Sequence, residues 1–108
     1  MSQFKDRGDA FENKFAHDQE LQFKATARRN KLLGLWAAEK LGLSGEAAEQ
    51  YAREVVRADF EEVGDEDVFR KIRKDFDDKG VDISDHLIRR EMEEQMAVAR
   101  QQILTESA

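Results

Sequence analysis

Not one of the 108 residues is a proline, and the apolar residues return at helical intervals along most of the chain. Proline fixes φ and removes a backbone donor, so its absence lets helices run between glycine stops without a forced break. Strand signals are nearly missing. The one short β-like run, Val81-Asp82-Ile83, reads as a loop ahead of a helix. Apolar residues make up 40% and charged residues 39%, and because the apolar ones are periodic the chain is globular and all-α, not disordered.

Four helices follow from the pattern. The first is expected from near Asp18 to Gly42, with Leu21, Ala25, Leu32 and Trp36 on one face and Leu33 beside them. Lys40 suits its last turn and Gly42 its left-handed stop. Ser44 is the expected N-cap of the second, with Glu46 in its first turn. Ala48, Tyr51, Ala52, Val55, Val56 and Phe60 then form the strongest amphipathic stripe, ended by Gly64. Asp65 is expected to cap the third helix, with Val68, Phe69, Ile72 and Phe76 as its apolar face. Ser84 caps the fourth, whose stripe is Ile88, Met92, Gln95, Met96, Ala99 and Ile103, and whose end frays over 105–108. Short links favour packing between sequential neighbours, giving a small four-helix bundle over residues 19–108. No internal repeat is visible.

Residues 1–18 read differently. Phe4, Phe11 and Phe15 stand in an otherwise charged and polar stretch, and at ~100° per residue a helix would set the three rings on one narrow face. Asp18, Gln19 and Gln22 take the positions where that stripe would continue. A narrow aromatic stripe interrupted by Gly8 is poorly suited to fold on itself and suited to a groove on a partner. The expectation is a flexible N-terminal arm.

Charge and composition exclude several functions. Residues 1–40 carry eight Lys/Arg against six Asp/Glu, and residues 41–108 ten against eighteen. The acidic body argues against nucleic acid, and the mildly basic arm suits an acidic protein surface. The longest uncharged apolar run, 32–38, is too short to span a membrane, so the expectation is a chain that does not insert into one. With no cysteine there is no disulfide framework or thiolate chemistry, which is compatible with the cytoplasm.

The motifs resolve to structure. Asp75-Phe76-Asp77-Asp78-Lys79-Gly80 resembles the start of an EF-hand loop, but Lys79 and His86 stand where calcium needs an oxygen ligand and a bidentate glutamate. An acidic helix-to-helix turn is the expectation. Gly42-Leu43-Ser44-Gly45 could hold a phosphate at a helix start, but it lacks the strand and lysine of a P-loop and is explained as a stop followed by a cap. Weak ATP or ADP binding is left open, and no cofactor is expected. His17 and His86 lack the partners of a zinc site or a catalytic triad. Arg28-Arg29-Asn30-Lys31 is by default a solvated face, with docking of Arg28 and Arg29 to an acidic partner as its competitor. Trp36 is expected in the core. No catalytic constellation stands out, and the chain reads as a non-enzyme.

Three stretches resemble a known family. Phe11-Glu12-x-Lys14-Phe15-Ala16, then Ala27-Arg28-Arg29-Asn30-Lys31-Leu32-Leu33-Gly34-Leu35-Trp36-Ala37-Ala38-Glu39, then Asp59-Phe60-Glu61-Glu62-x-Gly64-Asp65-Glu66-Asp67-Val68 are similar to the ATPase inhibitor ζ subunit of alphaproteobacterial F1FO-ATP synthases. The resemblance implies a four-helix bundle that docks on the catalytic F1 head of α, β and γ subunits. It also implies an N-terminal segment that enters the head and blocks rotation in the hydrolytic direction. The protein would then be cytoplasmic, a monomer when free, and held near the inner membrane through the synthase. Carried onto this sequence, the segment is residues 1–18. Within it the stripe suggests Phe4, Phe11 and Phe15 as anchors and Lys5, Arg7 and Lys14 as charged contacts. The rival readings are a helical adaptor working through the acidic face of the fourth helix, or a weak adenine-nucleotide sensor at the Gly42–Gly45 turn.

Overall fold

The computed structural model describes the backbone of residues 2–59 and 65–107 and the side chains of residues 18–59 and 65–106. Four helices appear in order: α1 Ser2–Lys40, α2 Gly45–Ala58, α3 Glu66–Lys79 and α4 Asp85–Ser107. No strand occurs among the described residues. The first helix therefore starts well before the expected Asp18. Nothing in the intervening sequence forbids it, since a single glycine inside a helix costs only ~1 kcal/mol. The expected run of α2 to Gly64 stops earlier, at Ala58, and residues 60–64, Phe60 included, lie outside the described residues.

The stops at Gly42 and Gly80 are formed, while Gly64, expected to end α2, lies outside the described residues. Gly42 has φ 79° and Gly80 φ 72°. Past α1, Leu43 N–H reaches Ala38 O at 2.9 Å and Gly42 N–H reaches Glu39 O at 3.1 Å. Past α3, Val81 N–H reaches Phe76 O at 2.8 Å and Gly80 N–H reaches Asp77 O at 3.2 Å. These paired bonds satisfy the carbonyls that a helix end leaves free, and only a left-handed residue closes them. The acidic turn at Asp75–Gly80 is thus the last turn of α3. Asp77 binds Arg73 and Asp78 binds Lys74.

Of the expected N-caps, Ser84 acts as one: its Oγ accepts Leu87 N–H at 3.1 Å. Ser44 and Asp65 make no side-chain cap bond. Asp65 is drawn elsewhere, as described below.

The core joins Leu33, Ala37, Ala38 and Leu41 of α1 with Tyr51 and Val55 of α2, Val68, Phe69, Ile72 and Phe76 of α3, and Ile88 and Met92 of α4. The stripe expected for α3 is buried throughout, and those of α2 and α4 are buried at Tyr51, Ala52, Val55, Ile88, Met92, Ala99 and Ile103 and half-buried at Ala48, Val56, Gln95 and Met96. A fully buried phenylalanine such as Phe76 contributes about 1.5–3 kcal/mol by leaving water. Trp36 is half-buried and meets Phe76 edge-on, with ring centroids 5.8 Å apart. Sequential neighbours do pack, but the most extensive contacts are those of α1 with α2 and with the non-sequential α4. Between them α2 and α4 hold most of the contact with α1.

A single face does not describe α1. Its buried residues from Ala25 onward are Ala25, Arg29, Asn30, Leu33, Gly34, Ala37 and Ala38, with Leu41 just past its end, while the expected Leu21, Leu32 and Trp36 are only half-buried. The buried arc is wide because two helices pack on it.

Candidate interaction surface

Phe4, Lys5, Arg7, Phe11, Lys14, Phe15 and His17 lie outside the residues whose side chains are described. Their helix, α1, is described from its bundle end. Asp18, Glu20 and Lys24 are exposed there, with Lys24 Nζ 3.1 Å from Glu20 in an i,i+4 pair.

Arg28 is half-buried and fixed against the C-terminal end of α4. Its Nη1 donates to Gln102 Oε1 and Glu106 Oε2, each at 2.7 Å, and its Nη2 donates to Glu106 Oε1 at 2.8 Å. The hydrogen bond raises the guanidinium pKa and holds the Glu106 carboxyl below its ordinary range. Such a fork is the strongest geometry available to an ion pair near a surface.

Arg29 departs from the solvated-face default. It is only 2% exposed, its Nε donates to Asn30 Oδ1 at 2.7 Å, and its Nη2 donates to Asp65 Oδ1 at 2.7 Å. Asp65 leaves its own helix end uncapped to neutralise this cation. The two candidate docking cations are therefore neighbours on α1, each already engaged by a carboxylate of the chain, Arg28 at the surface and Arg29 inside, where it offers a partner almost no surface. Arginine can lie inside because its methylene stem packs while its planar head finds acceptors.

Sequence reasoning missed Gly34. A Cβ built there would lie 2.7 Å from Ala52 Cα and 3.2 Å from both Ala52 Cβ and Val55 Cβ. Here α1 and α2 approach too closely for a side chain on α1. An isolated glycine inside a helical pattern was the available signal.

On the other side of α2, Tyr51 Oη donates to Asp75 Oδ2 at 2.7 Å, Lys71 Nζ binds the same oxygen at 3.1 Å, and Lys71 stands 5.0 Å from the Tyr51 ring centroid. Burial first, and then the bond to Asp75, pushes the Tyr51 phenol well above its ordinary 10.0. A raised folded pKa means this stability is complete below pH 10 and is lost as pH rises further. As the chain has one tyrosine, tyrosinate absorbance reports it alone. We expect that signal to rise only above pH 10, together with loss of helix by circular dichroism. A phenol that titrates normally in the folded chain would contradict the buried bond.

Arg89 joins α4 to α3, lying 4.0 Å from the Phe69 ring centroid and 2.9 Å from Glu66 Oε1. A hollow of about 680 Å³ between α1, the start of α3 and α4 mixes Arg29, Arg89 and Arg100 with Asp65, Glu66 and Glu93. Its charges largely pair with one another. Among the described residues no cluster of three or more His, Cys, Asp or Glu could hold a metal ion, and no helix is long and apolar enough to cross a membrane.

Several of the described charges thus pair within the chain, around a bundle that fastens one long helix. A family model for the ATPase inhibitor subunit zeta matches residues 1–102. The chain belongs to that family. The match covers nearly the whole chain, the N-terminal segment, α1 to α3 and most of α4 included. A similar solved structure, determined by solution NMR, is 55% identical and superposes with a TM-score of 0.71, covering 80% of this chain and 98% of that one. No curated protein matches. The zeta family is one of inhibitor subunits.

Proposed function

We propose that this protein inhibits ATP hydrolysis by an F1FO-ATP synthase by inserting residues 1–18 into the catalytic head and stopping rotation. The observation that carries the reading is the zeta-family match, which begins at residue 1 and so takes in the aromatic stripe. The bundle supports it physically. Among the described residues, those that α1 gives to the core run from Ala25 towards its C-terminal end. Arg28 and Glu106 tie the two helices together just past that point.

The inhibitor does no chemistry. An apolar segment in a cleft that opens and closes during rotation binds one rotary state better than the rest, and that difference traps the state. Phe4, Phe11 and Phe15 are the anchors in this reading, with Lys5, Arg7 and Lys14 at the rim. The partner is the head of α, β and γ subunits, and the site of action is the cytoplasmic face of the membrane that holds the synthase. No cofactor is required.

The test is ATP hydrolysis by purified F1-ATPase with the full chain, with residues 19–108, and with Phe11→Ala/Phe15→Ala. The full chain should inhibit, the truncation should not while keeping its helical content, and the double variant should be weaker by about tenfold or more, two lost aromatic anchors being worth at least ~1.4 kcal/mol. Equal inhibition by the full chain and the truncation would place the activity in the bundle and remove the arm mechanism.

A further inference from the structure

The hollow of about 680 Å³ between α1, the start of α3 and α4 has the size of a small-molecule site, commonly ~300–1,000 Å³. Met92, Met96 and Arg100 of α4 border it, four residues apart and therefore along one face of that helix. Thr26 and Arg29 border it from α1. Asp65 and Glu66 stand at the start of α3, joined to Arg29 and to Arg89.

Arg29 is the group that asks for a ligand. Its Nε donates to Asn30 and its Nη2 to Asp65, while its Nη1 has no partner among the described residues. Among those residues the fully enclosed side-chain polar atoms without a partner are Asn30 Nδ2 and Asp67 Oδ2. Arg29 Nη1 is therefore open, although its side chain is 2% exposed, and the space that Arg29 borders is this hollow. A charged acceptor is what an unmet donor of a buried cation takes best. Two bonds already hold the guanidinium, so an acceptor at Nη1 orders no further side chain.

We propose that the hollow binds a small organic carboxylate, which accepts from Arg29 Nη1 and lays an apolar body on Met92 and Met96. The charges select the class. Arg100 borders the hollow and makes no ion pair among the described residues, so it adds a free positive charge. Asp65, Glu66 and Glu93 border it too, and three carboxylates repel a polyphosphate far more than a single carboxylate. Methionine side chains are apolar and adapt to an irregular ligand. Arg29 is too enclosed for a protein surface to reach, and this site is separate from the action of residues 1–18. The ligand touches α1 and α4 at once, and by binding the folded chain alone it raises the thermal midpoint.

NMR titrations of the full chain with isotope-labelled methionine methyls test this, using hexanoate, hexanol, inorganic phosphate and ATP as probes. The chain has three methionines, so Met92 and Met96 are read against Met1. Their methyl signals should shift saturably with hexanoate, half-way at about 1 mM, and hexanol should need at least about tenfold more. Arg29→Met, and Met96→Glu read at Met92, should each weaken hexanoate at least about tenfold. Val98→Glu, exposed and off the border, should change it by less than about twofold. Circular dichroism checks that the variants fold, and should Arg29→Met unfold, Met96→Glu carries the decision. Native-like binding in a folded Arg29→Met or Met96→Glu chain overturns the proposal. So does equal binding of hexanol, which makes the hollow an apolar patch. Shifts by phosphate or ATP at lower concentration than hexanoate make it a phosphate site and overturn it too. No saturable shift at roughly ten times that hexanoate concentration overturns it outright.

Discussion

Gly34→Ala should lower the thermal midpoint of the full chain by about 10 °C, and Gly34→Val should lower it much further. Alanine in place of glycine gains ~1 kcal/mol of helix propensity, so on an exposed helix this change stabilises. Here the new Cβ would stand 2.7 Å from Ala52 Cα. A backbone atom cannot rotate aside, and α1 and α2 must move apart along a seam that also holds Ala37, Ala38 and Val55 at 0% exposure. Overpacking costs about 1–3 kcal/mol. With the seam opened as well, we expect a net loss near 2 kcal/mol, at ~4–8 °C per kcal/mol for a domain of this size. Valine adds two further carbons against Ala52 and Val55. Ala52→Gly should not rescue Gly34→Ala, because the nearest atom is backbone. A thermal scan in which Gly34→Ala raises the midpoint would show that propensity wins and that the helices have room.

The second large effect is an asymmetry within one ion pair. Arg29 is 2% exposed by side chain and Asp65 55%. Asp65→Ala leaves a buried guanidinium with Asn30 as its remaining described acceptor, whereas Arg29→Met removes the charge and leaves Asp65 in water. Breaking a buried pair at its outer partner costs about 3–5 kcal/mol when the stranded charge is fully enclosed. Since Asp65 is half in solvent, water can partly replace it, and about 2–3 kcal/mol is expected. Arg29→Met should cost about 1 kcal/mol, chiefly because Asn30 Oδ1 loses its donor. The double variant should then be no worse than Arg29→Met alone, a non-additivity that urea unfolding of the full chain measures. Additive losses would mean that Arg29 is already solvated without Asp65.

Both effects belong to α1, and α1 is where sequence and structure part. The glycine stops, the Ser84 cap and the buried faces of α2, α3 and α4 were legible because each is local: a 3.6-residue period, or one left-handed residue, states its own consequence. The resemblance to the zeta family was legible too, from blocks of residues that the family match then covered. For α1 the period misled. Its apolar residues lie around a wide arc because α2 and α4 pack on adjacent sides, and no single stripe marks such a helix. Of the expected face, Ala25 and Leu33 are buried, while Leu21, Leu32 and Trp36 form its half-buried margin. Arg29, which reads as solvated, sits inside, and Asp65, which reads as a cap, leaves its helix to meet it.

The sequence by itself determined four helices, most of their ends, the amphipathic faces of three of them and the family. It also holds the aromatic spacing of residues 1–18. Only the tertiary structure decided which side of α1 is covered and that a side chain at Gly34 would meet the backbone of α2. The reason is physical. Helix formation and capping depend on neighbours in the chain, whereas the burial of a cation and the need for a missing Cβ depend on residues 36 and 18 positions away, at Asp65 and Ala52.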